Sequence, residues 1–149
     1  GFDFFDYKAN VDQLKGLQKE MMTALFVERD FSEKQDNYEH LLRAIIDKAG
    51  FNNYDLIKGD VVETVSKYVH DNPGFRTSIV NFDLDVDEPT YACLNALWDR
   101  LVPGGMFLFD EYGINQWTES DAVDRFCYEK NISLRCTHIF APSAYLIKG

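Results

Sequence analysis

The residues best suited to chemistry in this chain are acidic. Asn81-Phe82-Asp83-Leu84-Asp85-Val86-Asp87-Glu88 puts four carboxylates directly after an apolar run, and Phe109-Asp110-Glu111-Tyr112-Gly113 repeats the arrangement after another. Crowded carboxylates repel one another and are costly unless water or a cation neutralises them. If the two apolar runs are neighbouring parallel strands, their ends lie on one edge of the sheet. Asp83 and Asp110 could then share a hard divalent cation with Glu111, and oxygen-only ligation favours Mg²⁺ or Ca²⁺ over zinc. Zinc has no support elsewhere: no Cys-x-x-Cys occurs, and His40, His70 and His138 are far apart. His40 and His70 read as polar-face helix residues.

Simpler uses of these acids account for only part of them. Asp87 and Glu88 before Pro89 suit a helix start, with Asp87 as N-cap, and acids there stabilise by about 0.3–1 kcal/mol each. That leaves Asp83 and Asp85 unexplained. A calcium loop of the EF-hand kind needs Gly at its sixth position and Glu at its twelfth; counted from Asp83, those positions hold Glu88 and Leu94. An Asp-x-Asp pair after an apolar strand also resembles the haloacid-dehalogenase-type phosphotransferases. These usually have Thr or Val where Asp87 stands, and their motif comes early.

The elements that must hold these acids alternate. Phe2 to Phe5 reads as the tail of a buried strand. Val11, Leu14, Leu17, Met21 and Leu25 recur at helical spacing. Ser32 and Gln35 form a capping-box pattern before a helix carrying Tyr38, Leu41, Leu42, Ile45 and Ala49, closed by Gly50. Tyr54 to Lys58 is a short strand, followed by a helix with Val61, Val62, Val65, Tyr68 and Val69 and a turn at Asn72-Pro73-Gly74. Thr77 to Phe82 reads as a strand covered on both faces. Pro89 fits the first turn of a helix with Leu94, Leu97, Trp98 and Leu101. Pro103-Gly104-Gly105 turns the chain into a buried strand, Met106 to Phe109. A helix near 119–130 carries Ala122, Val123, Phe126 and Cys127, and Ile132 to His138 and Ala144 to Ile147 are the last strands. Strands alternating with helices predict a mostly parallel α/β sheet with helices on both faces, and ligands bind such sheets at the strands' carboxyl ends. Asp3, Asp60, Asp83 and Asp110 all follow predicted strands.

Composition narrows the partners. The 149 residues suit one domain, 46% hydrophobic residues suffice for a core, and a net charge of −10 repels phosphate backbones and anionic membranes. No nucleic-acid or membrane partner is therefore expected. No apolar run approaches the roughly 20 residues of a membrane span, and no signal peptide opens the chain. Cys93, Cys127 and Cys136 suit reduced, mostly buried thiols, and the chain is expected to be cytoplasmic.

Taken together, Asp60, Asn81 to Asp85, Glu88-Pro89-Thr90, Leu101 to Gly105 and Phe109 to Gly113 resemble the macrocin-type sugar O-methyltransferases. These are class I, S-adenosylmethionine-dependent and Mg²⁺-requiring enzymes acting on deoxysugar hydroxyls. The resemblance is tight over 77–126 and loose over the first fifty residues. It implies a Rossmann-like fold and a small sugar or glycoside acceptor. It also implies metal carboxylates at Asp83, Asp110 and Glu111, and cofactor contacts at Asp3 for the ribose and at Gly59 and Asp60 for the adenine. Asp83 and Asp85 are the candidate bases for the acceptor hydroxyl; the residues do not choose between them. Glu111 stands where the family commonly has Asp, and Asp87 where Tyr is usual. Tyr112 and Trp117 either wall an acceptor pocket or pack the core.

The family's Gly-rich loop after its first strand has no counterpart here. That strand lies between the family's second and fourth, so a chain starting at the second leaves a gap in the sheet, with unpaired backbone groups. The sequence is therefore read as a single, partial domain, incomplete at the N-terminus, which as it stands binds cofactor poorly. The alternative class is a non-catalytic methyltransferase-like association domain, which the gap would drive to homo-oligomerise.

Overall fold

A computed structural model describes residues 1–6, 11–12, 14–28, 38–114 and 117–149. Its contacts divide the chain into two units, Gly1–Thr64 and Val65–Gly149. The expected capping box at Ser32 and Gln35 lies outside the described residues, as do the side chains of Met21 and Leu25.

The first unit holds strand β1 (Phe2–Asp3), helices α1 (Gly16–Glu28) and α2 (Glu39–Lys48), strand β2 (Ile57–Lys58) and the start of α3 (Val61–Asp71). The apolar spacing from Val11 predicts one continuous helix; residues 11–12 are helical, but 14–15 are not, and α1 starts at Gly16, whose φ of +57 is a left-handed conformation. Helix α2 ends as expected: Gly50 adopts φ +86 and donates its N–H to the Asp47 carbonyl at 2.9 Å. None of α2's residues is buried, and Leu41 and Ile45 are exposed. Strands β1 and β2 run parallel, Phe2 opposite Ile57 and Asp3 opposite Lys58. Parallel pairing puts the residues after both strands at one end.

The second unit contains most of α3, β3 (Thr77–Phe82), α4 (Asp87–Trp98), β4 (Leu101–Phe109), α5 (Glu119–Lys130), β5 (Arg135–Cys136) and β6 (Ala144–Ile147). Its sheet runs β3-β4-β6-β5. Strand β4 is parallel to β3, while β6 is antiparallel to both β4 and β5, so β6 alone runs against the rest. Two expectations of complete burial are corrected. Strand β3 is outermost in this sheet; only Phe82 is buried, and Ile79 is 62% exposed. Strand β4 alternates, burying Leu101, Gly105, Phe107 and Phe109 on one face, the period of two that a one-sided strand requires.

Pro103-Gly104-Gly105 lies within β4 instead of preceding it. Thr77 pairs with Leu101 but Ile79 with Met106, so the extra residues bulge from the ladder. A proline and glycines are tolerated there because a bulge frees the backbone from regular pairing. A Cβ on Gly105 would lie 2.7 Å from Leu101 Cδ1 and 2.8 Å from the Val102 carbonyl.

Helices α4 and α5 pack on each other and supply Leu94, Leu97, Ala122, Val123 and Phe126 to the core. Aromatic rings link them to the sheet. Phe107 meets Phe82 edge-on at 5.0 Å, and Trp98 sits 5.9 Å from Phe107 and 5.4 Å from Phe126. Such pairs add about 0.5–1.5 kcal/mol each beyond area burial. The core thus anchors the last turns of β3 and β4, whose next residues are Asp83 and Asp110. Cys93 is buried and Cys127 half-buried, as the expectation of mostly buried thiols has it, whereas Cys136 is exposed; none of the three is in a disulfide. It sits on β5, the outer strand of the sheet.

Candidate functional site

Register builds the acidic edge. Phe82 pairs with Phe109, and the Asp110 N–H continues the ladder by donating to the Phe82 carbonyl at 3.1 Å. Asp83 and Asp110 therefore leave adjacent strands at the same level, as the sequence predicts. Beyond Asp83 the chain turns sharply: Val86 N–H donates to the Leu84 carbonyl at 2.7 Å, and Asp85 between them has φ +62. A left-handed aspartate is an uncommon, mildly strained conformation that tends to mark functional sites.

The Asp87 N-cap expected from sequence is corrected. Val86 is the flanking residue of α4, with no side-chain cap, and Asp87 lies within the helix. The Asp87 N–H donates instead to the Thr118 hydroxyl at 3.0 Å, and the Thr118 N–H donates to the Asp85 carbonyl at 3.0 Å. Thr118 thus closes α4's first turn from the neighbouring helix start and clamps the Asp85 turn.

Glu119, the first residue of α5, is fully buried. Its Oε1 accepts the Glu111 N–H at 3.2 Å, while its Oε2, like Glu111 Oε2, has no hydrogen-bond partner. Sequence reasoning placed α5 correctly but did not single out Glu119. A signal existed: 119, 122, 123 and 126 follow the spacing of one helical face, and the other three are apolar.

The electrostatics follow from this crowding. Burial pushes the Glu111 carboxyl up to about 8, with the Asp85 charge adding to it. Burial likewise pushes Glu119 up to about 7, opposed by the Glu111 N–H and reinforced by Asp85, Asp110 and Asp83. Asp85 is raised by burial, with Asp110 reinforcing and a Glu111 hydrogen bond opposing. The donor set is oxygen-only and carries two buried carboxylate oxygens without a hydrogen-bond partner, Glu111 Oε2 and Glu119 Oε2, the donor chemistry that a hard cation prefers. No group of three or more His, Cys, Asp or Glu among the described residues is arranged as a metal site.

In the first unit, Asp3, Gly59 and Asp60 come together after β1 and β2. The Gly59 N–H donates to the Asp3 carbonyl at 3.0 Å. Asp3 accepts the Phe5 N–H on Oδ1 at 3.2 Å and the Tyr38 hydroxyl on Oδ2 at 2.5 Å. Asp60 accepts the Val62 N–H at 2.8 Å, as a helix cap does. Gly59 has φ +134, and a Cβ there would lie 3.0 Å from Thr64 Cγ2. These contacts hold the carboxylates in place, and each oxygen of Asp3 keeps a further lone pair.

Of the two aromatics, Tyr112 spends its hydroxyl on Asp124 at 2.8 Å, and burial together with that bond pushes it up to about 12. This fastens the Glu111 loop to α5. Trp117 is half-buried. His40 and His70 are exposed on helices, as expected, and His138 is exposed beyond β5.

Among curated proteins none matches the chain. Several solved structures are similar, among them the following three. An apo structure of CalS11, a TDP-rhamnose 3′-O-methyltransferase of calicheamicin biosynthesis, shares 32% identity over 76% of this chain and 52% of its own, with a TM-score of 0.66. A second CalS11 structure, a calicheamicin methyltransferase, shares 26% identity over 100% of this chain and 59% of its own, with a TM-score of 0.70. The O-methyltransferase NovP, at 17% identity, covers 99% of this chain and 58% of its own with a TM-score of 0.71, which speaks for a common fold. The chain thus spans between 52% and 59% of the length of these structures. The family model for macrocin O-methyltransferases (TylF) matches residues 10–148, and the chain belongs to that family.

Proposed function

We propose that this chain forms the acceptor-activating part of an S-adenosylmethionine-dependent O-methyltransferase that methylates a hydroxyl of a sugar or deoxysugar with the help of Mg²⁺. The observation that carries this reading is the β3–β4 register, which brings Asp83 and Asp110 to the ends of adjacent strands, with Asp85 close enough to Glu111 to raise its proton affinity and share a hydrogen bond with it. Family membership supports the reaction class, and CalS11 supports a nucleotide-linked deoxysugar as the kind of acceptor. The same membership displaces the phosphotransferase alternative.

Asp83, Asp110 and Glu111 would hold the cation. A bound divalent ion lowers the pKa of a coordinated hydroxyl and orients it, and S-adenosylmethionine supplies the methyl group. Asp85 is then the base. Its burial and its acidic neighbours raise its proton affinity, which suits a carboxylate that must accept a proton near neutrality. Asp83 serves as a ligand in this scheme. The Thr118 clamp on the Asp85 carbonyl keeps the base in register with the strand ends, so the proton acceptor need not reorganise as the hydroxyl reacts. Asp3, with a free lone pair on each oxygen, would accept the ribose hydroxyls. Gly59 and Asp60 would lie beside the adenine. Homo-oligomerisation and a cytoplasmic setting belong to the same proposal.

Calorimetric titration with S-adenosylhomocysteine, and separately with Mg²⁺, tests it. Mg²⁺ is expected to bind wild type and to bind Asp83→Asn at least tenfold more weakly, with little change in folding stability. Equal Mg²⁺ binding by both would remove Asp83 from the site. If neither ligand binds, the association-domain alternative takes its place.

A further inference from the structure

We infer that Tyr38 is a positioning residue for Asp3, its hydroxyl holding the carboxylate in the orientation that a ribose diol requires, so that the end of β1 selects for the hydroxylated sugar of a nucleoside. The inference rests on the ribose reading of Asp3 above. A carboxylate at a strand end turns about its own bonds, and a ligand that uses both oxygens must stop that rotation at a cost in affinity. Asp3 meets this requirement before any ligand arrives. Its Oδ1 accepts the Phe5 N–H at 3.2 Å, and its Oδ2 accepts the Tyr38 hydroxyl at 2.5 Å. One donor on each oxygen fixes the plane of the group and leaves a further lone pair on each, side by side as two vicinal hydroxyls need them. No lysine or arginine is ion-paired with Asp3 among the described residues, whose ion pairs join Lys19 to Asp12, Arg43 to Glu39 and Lys67 to Asp71. Both of these donors are uncharged, so the carboxylate keeps its charge for the ligand.

A simple tie between two segments explains less than is seen. The tyrosine is itself pinned: its N–H donates to the Phe5 carbonyl at 3.2 Å, and its ring meets the Phe5 ring edge-on at 5.7 Å. Phe5 is buried yet takes φ +51. A left-handed conformation is a genuine outlier for a bulky side chain, persists only where neighbours over-determine it, and clusters at ligand sites. That turn returns the Phe5 N–H to Asp3, two residues back. Both donors to the carboxylate therefore belong to one Phe5–Tyr38 unit, although Tyr38 stands 35 positions from Asp3. The main chain of Asp3 is anchored as well, by the Gly59 N–H on its carbonyl at 3.0 Å. A phenylalanine at position 38 would keep the ring contact and the backbone bond to Phe5. What it would remove is the donor to Asp3.

The test uses the full chain and two probes, S-adenosylhomocysteine and the same molecule without its 2′ and 3′ hydroxyls. Calorimetric Kd values are compared for wild type and Tyr38→Phe, with melting temperature as the check on folding. Wild type is expected to prefer the hydroxylated probe. Tyr38→Phe is expected to bind S-adenosylhomocysteine about tenfold more weakly, the lower end for a hydrogen bond to a charged group, and the dideoxy probe within about twofold of wild type. The preference for the hydroxyls then shrinks, which a purely structural role does not produce, since a loosened fold weakens both probes alike. An unchanged preference in Tyr38→Phe, whatever its melting temperature, would show a structural tyrosine only and overturn the inference while leaving the ribose reading intact. Tighter binding of S-adenosylhomocysteine by Tyr38→Phe would show that the hydroxyl competes with the ribose, and would overturn it as well. A wild type that binds both probes alike, or neither, would overturn the ribose reading and this inference with it.

Discussion

Asp85, Glu111 and Glu119 differ from ordinary surface acids because the fold removes water from carboxyls that already repel one another. Folded values of about 8 for Glu111 and about 7 for Glu119 lie above the ordinary 4.5, so the folded chain binds these protons more tightly than the unfolded chain does. Their contribution to stability is complete below 4.5 and disappears as the pH rises through about 7 and about 8. Denaturation midpoints of the Mg²⁺-free protein should accordingly fall across this window, and saturating Mg²⁺ should flatten the slope. A midpoint that rises across the window without Mg²⁺ would mean that these carboxyls are already neutralised by something else. Asp85 and Glu111 were legible in the sequence as members of the acidic strand ends, and Glu119 was not. Nor was their ranking, because it depends on which side chains α5 covers.

At the scale of elements, two short stretches decide the shape of the acidic edge. Thr118 supplies an acceptor to Asp87 and a donor to Asp85 across 31 and 33 positions of sequence. Thr118→Val keeps the volume and the backbone donor but removes the hydroxyl acceptor. Loss of such a capping contact should cost about 0.5–2 kcal/mol in denaturant unfolding, and Mg²⁺ affinity should weaken as the Asp85 loop loosens. An unchanged unfolding curve would show that water replaces the hydroxyl freely. Gly105 sets the β4 bulge. Gly105→Ala places a methyl group 2.7 Å from Leu101 Cδ1 and 2.8 Å from the Val102 carbonyl, and overpacking of this kind should cost about 1–3 kcal/mol. The sequence marked Pro103-Gly104-Gly105 as a turn because its residue types are turn formers. Only pairing with β3 and β6 shows that the ladder runs on through it, with Gly104 and Gly105 bonded to Lys148 at 2.8 and 2.9 Å. The helices after Asp60 and near 119–130 were legible in apolar periodicity, which local sequence carries well. The true cap of α4 was not, since its acceptor comes from a residue distant in sequence.

For the molecule as a whole, the strand ends are only as well placed as the aromatic core beneath them. Phe107 is fully buried between Phe82 and Trp98. Phe107→Ala should destabilise the chain by about 3–5 kcal/mol and weaken Mg²⁺ binding although the ring touches no carboxylate. Urea denaturation together with Mg²⁺ titration checks both. Loss of affinity without loss of stability would mean that the core does not govern the strand ends. The strands form two sheets, β1-β2 and β3-β4-β6-β5. In the four-stranded sheet β3 and β5 are the edge strands.

The sequence by itself determined the α/β alternation, the existence and order of the helices after Asp60, the family, and the two acidic strand ends with Asp83 and Asp110 leading them. All of these are written in local periodicity or in contiguous motifs. Tertiary structure alone decided that Ile79 on β3 is exposed, that Thr118 and not Asp87 closes the first turn of α4, and that Glu119 is buried against the Glu111 loop with one oxygen unpartnered. The physical reason is common to all three. Burial and hydrogen-bond partnership depend on which distant segments pack together, and a residue's own neighbours along the chain carry no record of that.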